Sequence, residues 1–338
     1  MAQGQRDLVE VGNAWGAAGA LPRLTFTAGA GTNVTDQTEN PSTFLPIATE
    51  SQSVSPGLQV QWTLFDGMAM FANKDRLVLL AEQAEGNVEL MVESTVQAVL
   101  TAYDNVLVQE ESLKVLQAAM DLTQERLARL DASLALGTAR TFDRLQFENA
   151  LLTDSAAWLR QRVASRAARR NLNLLLAARD DQAWTLTSAL LAPAATGDMA
   201  LAQARLSGEN TSVSNAVLAM QLAEVGVRQA KARLSPVLGL TANWGNTAGQ
   251  SRAVSDLPPQ LVFNPYENGD IQSFVTNYGA QLTLNFNLFN GGATRRAIQQ
   301  AQIQVELAGL DRDRLLLEAQ SALAQAWDRR SAAQELHA

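Results

Sequence analysis

The sequence predicts a mostly α-helical chain that also carries four amphipathic β-strands of transmembrane length. Three observations predict it. Leu58, Val60, Trp62 and Leu64 alternate with Gln59, Gln61 and Thr63, which gives a strand one apolar and one polar face. The same pattern recurs at Leu282, Leu284, Phe286 and Leu288, and both copies end in a Leu-Phe-Asp/Asn-Gly sequence before a helical stretch. Between the copies lies a helical pattern far longer than the helices of a compact domain.

Composition sets outer limits. The 338 residues are 47% hydrophobic and 18% charged, which excludes a chain disordered by composition. A net charge of −8 argues against general binding to nucleic-acid phosphates. With no cysteine, disulfides, thiolate metal sites and cysteine nucleophiles are excluded. The single histidine, His337, reads as a solvated tail residue. No catalytic or metal-ligating constellation emerges, so neither an enzyme nor a cofactor is expected. No apolar run approaches the roughly 20 residues of a membrane-spanning helix, so any passage through a bilayer is by β-strands.

Taken in order, residues 1–21 read as the end of an incoming helix, stopped by Pro22. Leu24, Phe26 and Ala28 begin a strand over about 22–31. Residues 32–56 are polar and read as a long loop, and a strand follows over about 57–65. Residues 22–66 thus form a first β-hairpin. A helix runs from about Ala69 to Leu136. Its seam repeats every seven residues at Leu77, Ala84, Met91 and Ala98, then at Leu113, Met120, Leu127 and Leu134. At about 1.5 Å per residue this helix is roughly 100 Å long.

Leu136-Gly137-Thr138 breaks the helix, and a second runs back to about Ala178. Its predicted seam is Leu145, Leu152, Ala156, Leu159, Val163, Ala167 and Leu174, making 67–178 an antiparallel hairpin. Residues 179–215 form a connecting region with a short strand at Trp184-Thr185-Leu186. One helix is expected over about 199–233, of which 216–235 is the incoming helix of a second repeat. Residues 236–290 make a second β-hairpin, with strands at about 236–245 and 277–289 and a loop near 246–276. Residues 291–338 begin an outgoing helix.

The halves repeat. At an offset of 214, Glu10-Val11-Gly12 matches Glu224-Val225-Gly226, Ala18 matches Ala232, and Pro22 matches Pro236. The Asp66-Gly67 and Asn290-Gly291 junctions align at an offset of 224, so the extra ten residues fall in a loop. After Gly291 only 47 residues remain, and before Pro22 only 21. The expectation is a chain truncated within a helix at both ends. On that expectation, the lack of a basic start and apolar stretch in residues 1–15 says nothing about location.

At each junction the glycine, Gly67 or Gly291, is expected to turn strand into helix, and Asp66 or Asn290 to cap that helix. The run Arg160, Arg162, Arg166, Arg169 and Arg170 reads as a solvated face. Gly29-Ala30-Gly31 has no Lys-Ser/Thr after it and makes no phosphate loop.

These features together resemble the TolC-like outer-membrane efflux and secretion channels of Gram-negative bacteria. The resemblance rests on the two-fold repeat, the small-residue helices ending in Leu-Pro or Ser-Pro, the strand–LFDG and strand–LFNG junctions, and the turn Gly137-Thr138-Ala139-Arg140-Thr141-Phe142-Asp143. It implies a homotrimer whose four-stranded contributions close a 12-stranded barrel in the outer membrane. The helices would continue as a periplasmic α-barrel, belted by residues 179–215. It implies lipid, a periplasmic adaptor and an inner-membrane transporter as partners, in a tripartite efflux pump or type I secretion system. Gly137, Thr141, Phe142 and Asp143 would lie at the periplasmic entrance, where the adaptor grips. Two readings stand for Asp143: a carboxylate that helps hold the entrance shut, or a solvated helix-terminal aspartate stabilised by the helix dipole. The alternative for the whole chain is a periplasmic coiled-coil adaptor or structural protein. Such proteins have helical hairpins but lack paired amphipathic strands.

Overall fold

A computed structural model describes residues 2–37, 48–188, 198–254 and 269–335. In chain order the elements are α1 (Ala2–Gly12), β1 (Arg23–Asp36), β2 (Ala48–Phe65), α2 (Ala69–Ala135), α3 (Thr141–Leu175), α4 (Met199–Glu209), α5 (Thr211–Ala232), β3 (Val237–Ala253), β4 (Ile271–Asn285) and α6 (Ala293–Glu335). They fall into two compact units. One holds Gln3–Glu85 with Asn215–Arg314, and the other Gly86–Ser214 with Leu315–Ala338. His337, part of the connecting region and the centres of the two polar loops lie outside the described residues.

The first unit is organised on one antiparallel sheet in the order β1-β2-β3-β4. Opposite residues share a face, so the register sorts side chains row by row. Leu24 faces Val60, Val60 faces Ala242, and Ala242 faces Ala280. The strands run further than their apolar alternation. β1 continues to Asp36, β2 begins at Ala48, and β3 reaches Ala253. Apart from the row Val54, Ala248 and Phe274, the segments expected as loop carry mostly polar residues on both faces, so period-2 hydrophobicity fades while the backbone ladder continues. Cross-strand side-chain contacts persist there, as between the Ser51 and Ser251 hydroxyls at 2.7 Å.

β4 stops at Asn285, not at the expected 289. Its partner ladder begins at Val237, because Pro236 has no N–H to donate. Phe286 therefore lies outside the strand, and Leu288 and Phe289 are more than four-fifths exposed.

In the second unit α3 folds back along α2. Ala102, Val106, Ala168 and Leu172 form the buried centre, with Val99, Tyr103, Leu175 and Leu186 packed around it. Polar pairs extend the contact: Gln161 Nε2 donates to Gln109 Oε1 at 2.8 Å, and Thr123 Oγ1 donates to Asp154 Oδ2 at 2.8 Å. The α2 seam at Leu113, Met120, Leu127 and Leu134 is half-buried, as its spacing predicts.

The α3 seam is displaced by one residue from the expected one. All seven expected positions, from Leu145 to Leu174, are exposed, and Leu174 is 76% exposed. The face against α2 instead runs through Phe147, Leu151, Trp158, Ser165, Ala168 and Leu172. It is more polar than the outer stripe, because Asp154 and Gln161 find partners across the hairpin. Of the arginine run, Arg169 Nε donates to Glu110 at 2.7 Å, Arg170 lies 3.4 Å from Asp180, and Arg162 stacks over Trp158.

Trp184-Thr185-Leu186 forms no strand. Buried Asn173 holds this segment against α3: its Nδ2 donates to the carbonyls of Asp180 and Gln182, and its Oδ1 accepts from Trp184 Nε1 at 2.7 Å. The helix expected over 199–233 is two. Asn210 is extended, and its Oδ1 accepts from Val213 N at 3.0 Å, so it ends α4 and caps α5.

Candidate functional site: a two-faced sheet and its helix junctions

Alternation along all four strands separates the sheet into two chemically distinct faces. One face carries Leu24, Phe26, Ala28 and Ala30 on β1, Val54 to Trp62 at every second position on β2, and their partners on β3 and β4. Phe26, Leu58, Trp244 and Tyr278 form one continuous row across the sheet. From Phe274 to Leu284 this apolar face extends roughly 33 Å along β4. At the tilt usual for barrel strands that is about 25 Å of membrane thickness. Charge appears on this face only beyond that band, where Arg252 pairs with Glu50 at 2.5 Å.

The opposite face carries Thr25, Thr27, Gln59, Gln61, Thr241, Asn243, Asn277, Gln281 and many serines and glycines. Among the described residues of the four strands, Arg23 is its one charged group. β1 and β4 each have a single neighbour, so both outer edges of the sheet lack a partner among the described residues of the chain. No described helix is long and apolar enough to cross a membrane.

The first strand–helix junction is closely packed. Asp66 Oδ1 accepts from Met70 N at 3.1 Å, at the start of α2. Gly67 turns the chain with φ +69°, and a Cβ there would lie 2.5 Å from the Ala232 carbonyl oxygen and from Ser235 Cβ. At the second junction Asn290 Nδ2 donates to Thr294 Oγ1 at 2.7 Å, while its Oδ1 accepts from Thr294 N at 3.4 Å. Gly291 has φ +64°, with open space where a Cβ would stand. Sequence reading missed two further turn residues. Met68 follows Gly67 with φ +70°, and Gly292 follows Gly291 with φ +75°. Gly292, as a second consecutive glycine, is a signal that could have been read. A methionine gives none.

At the hairpin turn Gly137 has φ +72°, and its N–H donates to Leu134 O at 3.0 Å. Thr138 closes the helix end, both its N–H and its hydroxyl donating to Ser133 O. Leu136 and Phe142 project apolar surface, at 80% and 72% exposed, with Thr141 exposed beside them. Asp143 is in the first turn of α3, and its carboxylate has no bonding partner among the described residues. Arg144, next in sequence, donates to Asp131 at 2.8 Å and to Glu148 at 3.1 Å. The hydrogen bond to Asp131, with the charge of Glu148 beside it, raises the Arg144 guanidinium above its ordinary pKa. Among the described residues no group of His, Cys, Asp and Glu could hold a metal ion.

No known sequence family matches the chain, and no curated protein does. Solved structures do. The outer-membrane channel OprN aligns with a TM-score of 0.67 at 18% identity, over 98% of this chain and 69% of that one. The outer membrane protein VceC from Vibrio cholerae aligns at 0.68 and 16% identity, over 99% of this chain and 75% of that one. The Campylobacter jejuni CmeC outer membrane channel aligns at 0.69 and 14% identity, over 95% and 66%. Matched over nearly its whole length to several such channels, the chain has the TolC-like outer membrane factor fold.

Proposed function

We propose that this chain is the channel subunit of an export conduit in a Gram-negative outer membrane, reaching into the periplasm. The observation that carries this reading is the two-faced sheet: an apolar band of membrane height on one side and, on the other, polar residues of which Arg23 alone is charged among the described strand residues. A compact protein would bury that apolar side, whereas Phe26, Phe274 and Tyr278 are between 65% and 83% exposed. An open sheet edge in lipid would leave backbone groups unpaired at several kcal/mol each. Three copies joining β4 to the next β1 remove the edges and close 12 strands.

The internal repeat supports that assembly. Gly67 packs against Ala232 and Ser235, at the end of α5. Their repeat counterparts are Ala18 and Leu21, at the approach to β1. Gly291 meets the same surroundings only on the next copy. In this reading the chain catalyses nothing. An inner-membrane transporter supplies energy through a periplasmic adaptor that grips the apolar hairpin tip at Leu136, Gly137 and Phe142. The system is a tripartite efflux pump or a type I secretion system. Asp143, whose carboxylate has no bonding partner among the described residues, pairs across a helix interface and holds the entrance closed.

The test is cell fractionation followed by detergent extraction. The complete gene product should sediment with the outer membrane and run as a detergent-stable trimer, and a soluble monomer would overturn the reading. Asp143→Ala should raise single-channel conductance in a planar bilayer. Unchanged conductance would return Asp143 to the role of a helix-terminal aspartate.

A further inference from the structure

We infer that Arg23 sets the charge selectivity of the barrel bore and makes it favour anions. The inference rests on the trimeric channel proposed above. Arg23 opens β1, opposite Gln61, and that row continues through Thr241 to Gln281. These residues belong to the polar face, which in a barrel lines the water-filled interior because lipid takes the apolar one. Arg23 is exposed, and its guanidinium has no ion pair or side-chain hydrogen bond among the described residues. Asp66, a carboxylate at the same end of the sheet, is turned to the N-terminus of α2, where the helix dipole and the Met70 N–H compensate its charge. A guanidinium stays charged at any physiological pH. The described bore wall therefore carries one uncompensated charge per chain, and three-fold assembly sets three of them in a ring.

The size of the bore makes such a ring effective. Twelve strands about 4.8 Å apart, tilted by about 40°, place the backbone roughly 12 Å from the axis. An arginine reaching inward brings its charge to about 6 Å from the axis. Screening extends about 10 Å at 0.1 M salt but only about 3 Å at 1 M. At the lower salt the three fields overlap across the whole opening. Three charges at this distance, in a water-like dielectric screened over about 10 Å, attract an anion and repel a cation strongly enough for a roughly fiftyfold preference for anions over the same bore without the ring. At 1 M salt the preference falls below about threefold.

The experiment measures reversal potential across a planar bilayer holding the complete protein, under a KCl gradient centred near 0.1 M. Arg23→Gln should lower the chloride-to-potassium permeability ratio by roughly fiftyfold, and Arg23→Glu should lower it further. Both differences should shrink in molar salt. Arg252→Gln removes a cation from the lipid-facing side at the other end of the strands and should leave the ratio unchanged. Equal ratios for the wild-type channel and for Arg23→Gln and Arg23→Glu channels that still conduct would overturn the inference, as would an equal shift from Arg252→Gln. A wild-type protein that forms no channel at all would overturn the conduit reading itself, and this inference with it.

Discussion

At Leu64-Phe65-Asp66-Gly67 and again at Leu288-Phe289-Asn290-Gly291 the chain leaves the sheet, turns through a glycine and enters a helix. The glycines adopt nearly the same left-handed conformation, φ +69° at Gly67 and +64° at Gly291. Their surroundings differ. Gly67 is closed in by the Ala232 carbonyl and Ser235, and the strand before it reaches Phe65 with a bulge between Thr63 and Phe65. Gly291 has nothing within 4 Å of a Cβ, and its strand ends earlier, at Asn285. A repeated motif thus specifies the local backbone turn but not the packing around it. That depends on which other part of the chain arrives there. α5 and β3 arrive at Gly67, whereas no other described part of this chain closes on Gly291.

Substitutions at the two junctions test this contrast. Gly67→Ala should have the largest effect. It combines the left-handed penalty of a Cβ with a clash against backbone, together about 2–5 kcal/mol. Urea unfolding in detergent micelles, followed by tryptophan fluorescence, would read it. Gly291→Ala should cost only the conformational term, about 1–2 kcal/mol, in the dissociated chain. If the assembled trimer encloses Gly291 as Gly67 is enclosed, the same substitution should lower the trimer's dissociation temperature much more than it destabilises the dissociated chain. Asp66→Ala removes the acceptor of the Met70 N–H and should cost about 1 kcal/mol. Asn290→Ala should be the smallest change, about 0.5 kcal/mol, since its contact with the Thr294 N–H is long at 3.4 Å and its 2.7 Å bond to the Thr294 hydroxyl is exposed to solvent. Equal losses at the two junctions would show that the local turn, and not the packing, governs both.

The two kinds of element differed in how much could be read from sequence. Strand faces were legible because alternate residues must point to opposite sides, whatever else the fold does. The row Phe26, Leu58, Trp244 and Tyr278 follows from that rule once the register is known. Strand length was not legible. Past Ala30 and before Val54 both faces are polar, and only the ladder with the neighbouring strand shows that the segments are extended. Helix faces were ambiguous for a different reason. α3 has two stripes a residue apart, and the more apolar one, through Leu152 and Leu159, is not the one that meets α2. Hydrophobic spacing ranks stripes by apolarity, while the contact also rewards pairs such as Thr123 with Asp154. The hairpin turn at Gly137 was legible from its glycine. That Arg144 bonds Asp131 and Glu148, and leaves the Asp143 carboxylate without a partner among the described residues, depends on the α2–α3 packing and not on local sequence.

Sequence alone determined the four amphipathic strands, the long helical hairpin, the two-fold repeat and the glycine turns at residues 67, 137 and 291. Each of these follows from the geometry of near neighbours in the chain. The tertiary structure decided how far the strands extend, which stripe of α3 is covered, where α4 gives way to α5, and that Arg23 is the sole charge on the polar face of the described strands. These depend on residues far apart in sequence, such as Arg23 beside Gln61 and Thr241 beside Gln281. Such neighbours are set by strand register, which no local pattern encodes.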